Sequence, residues 1–543
     1  MLTASNVSIA FNGKKLYQDV NLKFTPGNTY GIIGANGAGK STFLKILEGK
    51  LQPTTGTVSM DPNERMSSLV QDHFAFDDYT VMDTVMQGYK ELAEVKSEMD
   101  AIYAKPDFSD EDGIRAGELS AQFDDMNGWT AESDASQLLQ SVGIPEDMHQ
   151  TKMSELSETE KVKVLLAQAL FGNPDILILD EPTNGLDTKT IAWLEDFLAD
   201  YPNIVIVVSH DRHFLNTVST MTLDVDFGKI TEFVGNYDFW KESSELASRL
   251  QANENAKKEE QIKELQDFVA RFSANASKSK QATARKKQLE KITLDDIQPS
   301  SRKYPYVHFD VAREMGNDMV KVENVSKTVD GVKLLDNVSF TLRPNEKTLI
   351  MADNDVATTA MLDILEGNME PDEGTVTWGV TTSRDYLSKD MGKNFPKPDM
   401  PILDFLRDFA GKDEDDNTFL RGLLGRMLFK GEDVEKTLDV LSGGEKVRVM
   451  LAKLMLTKPN VLILDDPTNH LDLESITSLN DGLIDYKGGL IFTSHDHTFA
   501  QTIADHIIVL GKPGVIERAE TDYDEFIANP GVQDALKEQN IQL

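Results

Sequence analysis

The stretch GANGAGKST at residues 34–42 has the makeup of a loop that holds phosphate. Gly34 and Gly39 frame it, so that backbone N–H groups of Ala35, Asn36, Gly37 and Ala38 can close on phosphate oxygens that a Cβ would obstruct. Lys40 would neutralise the β and γ phosphates of a nucleoside triphosphate. Ser41 would offer its hydroxyl to Mg²⁺, and a helix opening at Ser41 and Thr42 would point its positive end at the same anion. The pattern requires a strand before it and a helix after it, and the apolar TYGII and the helical FLKIL supply both. Further along, ILILDEPTNGLD reads as a buried strand ending in two acids with different work. Asp180 would hold the metal through water, and Glu181 would orient and deprotonate an attacking water. His210, after the apolar run preceding SHD, would contact the γ-phosphate, and Gln71, in LVQD, would sense metal and water.

These residues belong to one half of an internal duplication. NVSIAFNGKKLYQDVNLKF at 6–24 matches NVSKTVDGVKLLDNVSFTL at 324–342, a spacing of 318 that holds through ILEGKLQPTTGTV and ILEGNMEPDEGTV. Later, LLAQALFGNPDILILDEPTNGLD matches MLAKLMLTKPNVLILDDPTNHLD at a spacing of 285, so the first half carries 33 additional residues. They are expected as a helical arm at about 85–150, where charged helical segments flank the acidic loop PDFSDEDG. Between the repeats, residues 241–305 read as a charged helical hairpin with apolar residues at helical spacing and a break at SANASKS. The expected layout is a first unit at 1–240, this linker, a second unit at 318–530 and a C-terminal tail at 531–543.

The chain is 543 residues long with a net charge of −36, which opposes general adhesion to nucleic acid or acidic membranes. Cysteine is absent, excluding disulfides and thiolate chemistry. No window approaches the roughly 18 apolar residues of a membrane span, and the start MLTASNVSIAFNGKK lacks signal-peptide features, so a cytoplasmic location is expected. One segment departs from the acidic average: in 271–291, seven basic residues stand against Glu290 alone. Lys278, Lys280, Arg285, Lys286 and Lys287, at the hairpin tip, are the candidate contacts to RNA phosphates.

LSGGEKVRVMLAKLM at 441–455 resembles the signature of the ATP-binding cassette superfamily. Two fused cassettes without a membrane domain, LDEPTNGLD and LDDPTNHLD, an arm in the first cassette and a charged helical linker together resemble the ABC-F translation factors. FSANASKSKQATARKK and the early DPNER look most like the YbiT branch. The resemblance implies an α/β fold of two tandem P-loop NTPase cassettes joined by an α-helical hairpin. It implies ATP and Mg²⁺ as ligands, Phe11 stacked on adenine, and head-to-tail pairing of cassettes within a monomer. Ser442, Gly443 and Gly444 would then grip the γ-phosphate of the nucleotide on the first loop. It further implies a ribosome-bound ATPase that enters the tRNA exit site, touches rRNA and the peptidyl-site tRNA, and tunes elongation or relieves stalling. A transporter's ATP-hydrolysing subunit with a separate membrane partner, a DNA-repair cassette protein, and a ribosome-protecting antibiotic-resistance factor are the alternative readings.

The second half is disarmed. At the 318 spacing, Gly34 becomes Ala352, Gly37 Asp355, Gly39 Ala357 and Lys40 Thr358, while the hydroxyl of Ser41 survives in Thr359. Phe11 corresponds to Val329, Glu181 to the shorter Asp466, and Ser388 in YLSKD stands nearest to Gln71. The first signature is altered as well, reading LSETEKVKV with Glu158 and Thr159 in place of the two glycines. Head-to-tail pairing would therefore collect both losses in one composite site. Asp353, Asp355 and Glu158 are expected to crowd that site, each like-charge pair costing roughly 3 kcal/mol at about 5 Å, so that it binds ATP poorly or never.

Overall fold

The structure, a computed structural model, describes residues 1–11, 14–244, 246, 263, 302–411, 414 and 416–541. Most of the 241–305 linker lies outside the described residues, and so do Lys278, Lys280, Arg285, Lys286 and Lys287.

Apolar runs such as IVIVV and VLILD have no polar face, which suits parallel strands covered on both sides. In the first half Met66–Ser68, Ile176–Asp180, Ile204–Val208, Thr29–Ile33 and Met221–Asp226 form a parallel sheet in that order, with Lys229–Val234 antiparallel at the edge. The second half repeats it with Arg384–Leu387, Val461–Asp465, Gly489–Thr493, Lys347–Met351, His506–Leu510 and the antiparallel Val515–Ala519. A three-stranded antiparallel sheet accompanies each. In the first half it pairs Leu2–Phe11 with Lys14–Phe24 and Thr55–Ser59, and Leu2, Ala4, Val7 and Ile9 are buried along one strand.

Two helices of the first half have no counterpart in the second among the described residues. Lys90–Tyr103 and Asp110–Asp125 pack together, burying Leu92, Met99 and Ile102 with Ala116, Leu119 and Phe123. Ser109 and Asp112 close a capping box that starts the second of them. Ala131–Ser141 lies at the 285 spacing from Asn417–Arg426, so within the expected 85–150 segment the added material is this helix pair. The C-terminal residues do not trail as a tail. Asn529 caps the helix Pro530–Glu538, and Val532, Leu536 and Ile541 are buried in the second core.

The halves meet at several points. Leu473 of the second half is buried in the first half's core, and the rings of His213 and His497 lie 4.2 Å apart. The 34–39 loop, Gln71, Asp180, Glu181 and His210 lie at or just past the carboxyl ends of parallel strands, where open α/β sheets bind ligands.

Candidate ATP site

The first loop leaves Thr29–Ile33 and enters the helix Lys40–Leu47; that strand lies beside the one that leads to His210 and one place from the one that ends in Asp180. Gly34, Gly37 and Gly39 all have positive φ, at 154°, 78° and 104°. A Cβ on Gly34 would lie 2.6 Å from the Val225 carbonyl oxygen, and one on Gly39 would lie 3.1 Å from Leu16 and the Tyr17 ring. Glycine is thus required by conformation and by space. Ala38 N–H donates to the Ala35 carbonyl at 3.0 Å, which closes the turn. Lys40 folds back into it, its ammonium donating to the Gly34 carbonyl at 2.7 Å and the Ala35 carbonyl at 3.3 Å. Burial lowers its pKa against the carboxylates around it, Glu181 foremost. Asn36, Gly37 and Ser41 are exposed at the mouth, with Thr42 beside them.

Asp180 ends its strand facing Ser41 and Gln71, whose polar contacts favour its ionised form, although burial still raises its pKa. Glu181 follows in the left-handed region at φ 53° and receives the His210 backbone N–H at 3.2 Å. Its other oxygen lies 3.3 Å from His210 Nε2. Burial, seconded by Asp180, pushes Glu181 up to about 8, and burial pushes His210 down to about 4. A raised carboxylate is a stronger base once ionised, and a neutral imidazole can donate to an oxyanion without competing for its proton. Ser41 and Gln71 each reach Asp180, and the three side chains carry hard oxygens of the kind Mg²⁺ takes. His210 Nδ1 is buried without a hydrogen-bond partner among the described residues.

From the second half, Asp472 and Glu474 reach this site, both acting electrostatically on Lys40. Ser442 is exposed and caps its own helix, Gly443–Thr457, through Glu445. A Cβ on Gly443 would meet the His470 side chain at 2.8 Å, and one on Gly444 the His470 carbonyl at 2.7 Å. The residue at the position of His470 in the first half is Gly185, which leaves space there for the side chains of Glu158 and Thr159. The structure therefore gathers Gly34 to Thr42, Gln71, Asp180, Glu181 and His210. Phe11 is 47% exposed at its strand's end, and Ser442 is exposed at the start of its helix.

The second site has lost the loop itself. Its helix, Asp355–Glu366, starts three residues earlier in register than Lys40–Leu47, with Asn354 as cap and no positive φ from 352 to 358. Without glycines the chain coils into helix where the first half stays open. Strand pairing also corrects the partner of Gln71. Met66 pairs with Ile176 as Arg384 pairs with Val461, which places Lys389, not Ser388, at the Gln71 position. The expected crowding of carboxylates does not occur. Asp355 is paired with His495 at 3.1 Å and Lys389 at 3.7 Å, Asp353 with Lys512 at 2.5 Å, and Glu158 stands exposed at its helix start. The Asp355 hydrogen bond pushes His495 up to about 9. Thr359 and Thr493 satisfy both oxygens of Asp465, at 2.9 Å each. Asp355, at the Gly37 position, thus sets a carboxylate against His495 and Lys389, the counterparts of His210 and Gln71.

The family profile described as ABC transporter matches residues 17–184 and 335–469, and an extension profile of the same description matches 223–309. The ATP-binding protein YkpA of Bacillus subtilis is 59% identical over 538 residues, covering 99% of both chains. The probable ATP-binding protein YbiT of Escherichia coli O157:H7 is 45% identical, over 98% of this chain and all of the other. This chain belongs to the ABC-F family of ATP-binding cassette proteins. The energy-dependent translational throttle protein EttA of Haemophilus influenzae is also similar, at 32% identity over 94% of this chain and 93% of its own. Among solved structures, the complex of archaeal ribosomal stalk protein aP1 with the recycling factor aABCE1 aligns over 95% of this chain and 89% of that one. It does so with a TM-score of 0.60 at 17% identity, a likeness of fold. This ABC-F chain is accordingly an ATPase built on two tandem cassettes. Among the described residues no helix is long and apolar enough to cross a membrane.

Proposed function

We propose that this ABC-F chain is a cytoplasmic, ribosome-acting ATPase with one hydrolytic site, whose cassette closure tunes translation elongation or relieves stalling. The observation that carries the single hydrolytic site is the contrast between the two loops: one glycine-lined, with Lys40 and Glu181 behind it, the other helical from Asp355, which pairs with His495 and Lys389 beside a cavity of about 240 Å³. ATP phosphates would replace the Gly34 and Ala35 carbonyls as partners of Lys40 and would meet the N–H groups of the 34–42 loop. Ser41, Gln71 and Asp180 would hold Mg²⁺, which when bound offsets charge on the β and γ phosphates. Glu181 takes the proton of the attacking water as its oxygen bonds to the γ-phosphorus. The bond to the β–γ bridging oxygen breaks, leaving ADP and phosphate. Phe11 would stack on adenine, and Ser442, Gly443 and Gly444 would complete the site from the second cassette on closure.

The translational role rests on the name of the EttA relative, which matches along nearly the whole chain. The basic segment 271–291 is the proposed contact to rRNA and peptidyl-site tRNA from the exit site, against an acidic body that limits indiscriminate binding. Cosedimentation with ribosomes tests it. Glu181→Gln protein should be retained with ATP and released without it, and charge reversal at Lys278, Lys280, Arg285, Lys286 and Lys287 should weaken retention. ATP-independent sedimentation, or recovery with membranes instead, would overturn the reading.

A further inference from the structure

Arg302 stands near the C-terminal end of the 241–305 linker, and its guanidinium joins both cassettes. Within the first cassette it meets Asp224 at 2.6 Å and Asp226 at 2.9 Å, both on the strand Met221–Asp226. Its Nε meets Glu474 of the second cassette at 3.1 Å. The plane lies over Trp240, 4.6 Å from the ring centre, and Trp240 in turn donates its indole N–H to Asp224 at 3.1 Å. Only 10% of the Arg302 side chain and 6% of that of Glu474 is exposed. Three carboxylates therefore share one buried cation in a fork geometry that lysine cannot reproduce.

Glu474 is one residue from Leu473, which is buried in the first cassette's core, and two from Asp472, which caps the helix Leu473–Asp485. Leu473, Glu474 and Arg302 line the same small cavity as Ile33 and Gly34, the residues that open the phosphate loop. Among the charges acting on Lys40, Glu474 follows Glu181 and precedes Asp180. The equivalent pair at the other seam is Thr188 and Lys189, with the opposite charge at the Glu474 position. The carboxylate clamp is thus a property of the seam that serves the intact site.

We propose that Arg302 is a positioning residue for the first ATP site, holding the Leu473 and Glu474 turn of the second cassette against the phosphate loop while anchoring the linker's C-terminal end. Displacing the linker at this end would move Glu474 relative to Lys40, so a partner bound to the linker is read directly at the site of hydrolysis. Removing the fork leaves Asp224, Asp226 and Glu474 to repel one another in a buried space, and Glu474 is the one that can retreat with its own cassette.

The inference rests on the first site being the hydrolytic one, and the test separates the two. In the full chain, Arg302→Gln should lower kcat for ATP about tenfold with KM changed much less, because closure and not ground-state binding is lost. Arg302→Lys should fall between, and in a Glu474→Gln background Arg302→Gln should cost little more, since its target is already gone. Costs that multiply in the double variant, or full kcat in Arg302→Gln, would overturn the proposal. Should Arg302→Gln lose its cooperative melt, unchanged kcat in Arg302→Lys overturns it instead. Parental ATPase in Glu181→Gln would reject the first-site reading whatever Arg302 does.

Discussion

Raising the pH from 7 to 9 should increase kcat/KM for ATP by about tenfold, because only the ionised form of Glu181 can accept a proton from water. With its pKa at about 8, Glu181 is roughly 9% ionised at pH 7 and about 90% at pH 9. His210, held down to about 4, stays neutral throughout and adds no inflection. A phosphate-release assay at subsaturating ATP reads the profile, since kcat/KM reports the free enzyme's groups. Glu181→Gln should be lower by about 10²- to 10⁴-fold and flat over the same range. Asp466→Asn should keep both the rate and the inflection, because that carboxylate belongs to the second site, whose loop has lost its glycines and lysine. A flat parental profile, the same rise in Glu181→Gln, or equal losses in the two variants would refute the reasoning. Stability moves the other way. The folded pKa of Glu181 lies above its ordinary 4.5, so its contribution is full below 4.5 and is lost as the pH rises through about 8. Thermal melts should fall across that window, and Glu181→Gln should remove that part of the fall.

Calorimetric titration with ATP and Mg²⁺ should give one tight site per chain. Two tight sites would contradict the disarmed second loop. Asp355→Asn should bring the His495 titration midpoint from about 9 back toward 6.5, followed by the imidazole NMR signal. The pair's stabilisation is full below 6.5 and lost as the pH rises through about 9. Because half of the Asp355 side chain is exposed, the variant should cost only ~1 kcal/mol at pH 7. An unmoved midpoint would show that another group sets the His495 pKa.

Lys389 marks how far sequence comparison reaches here. The 318 spacing that aligns the two loops also aligns LVQD with LSKD, and carrying it through places Lys389 at Gln71 without coordinates. The charges of Asp353 and Asp355 were equally legible, but their neutralisation was not. Lys512 and His495 lie 159 and 140 residues away in the chain. Only folding brings them within reach, so a list of carboxylates could be read as repulsion. The altered first signature is similar. Glu158 and Thr159 look like damage until Gly185 is seen at the position where His470 crowds the two glycines of the second cassette.

Residue types and spacing by themselves showed the duplication, the glycine-rich loop, the two acids and the histidine, and the resemblance to the cassette superfamily that these motifs carry implied the class of fold. Those features are local: glycine at positive φ, a lysine at a helix start, and apolar runs that must be parallel strands are each readable within about ten residues. Tertiary structure alone decided what neutralises the second site and that Leu473 and Glu474, rather than the exposed Ser442, are the residues of the second cassette set against the first loop. It alone decided that Arg302 ties them to the linker. Those depend on charges and surfaces meeting across chain separations of tens to more than a hundred residues. An ion pair carries no periodicity along the chain, so the partner becomes visible only where the fold has placed it.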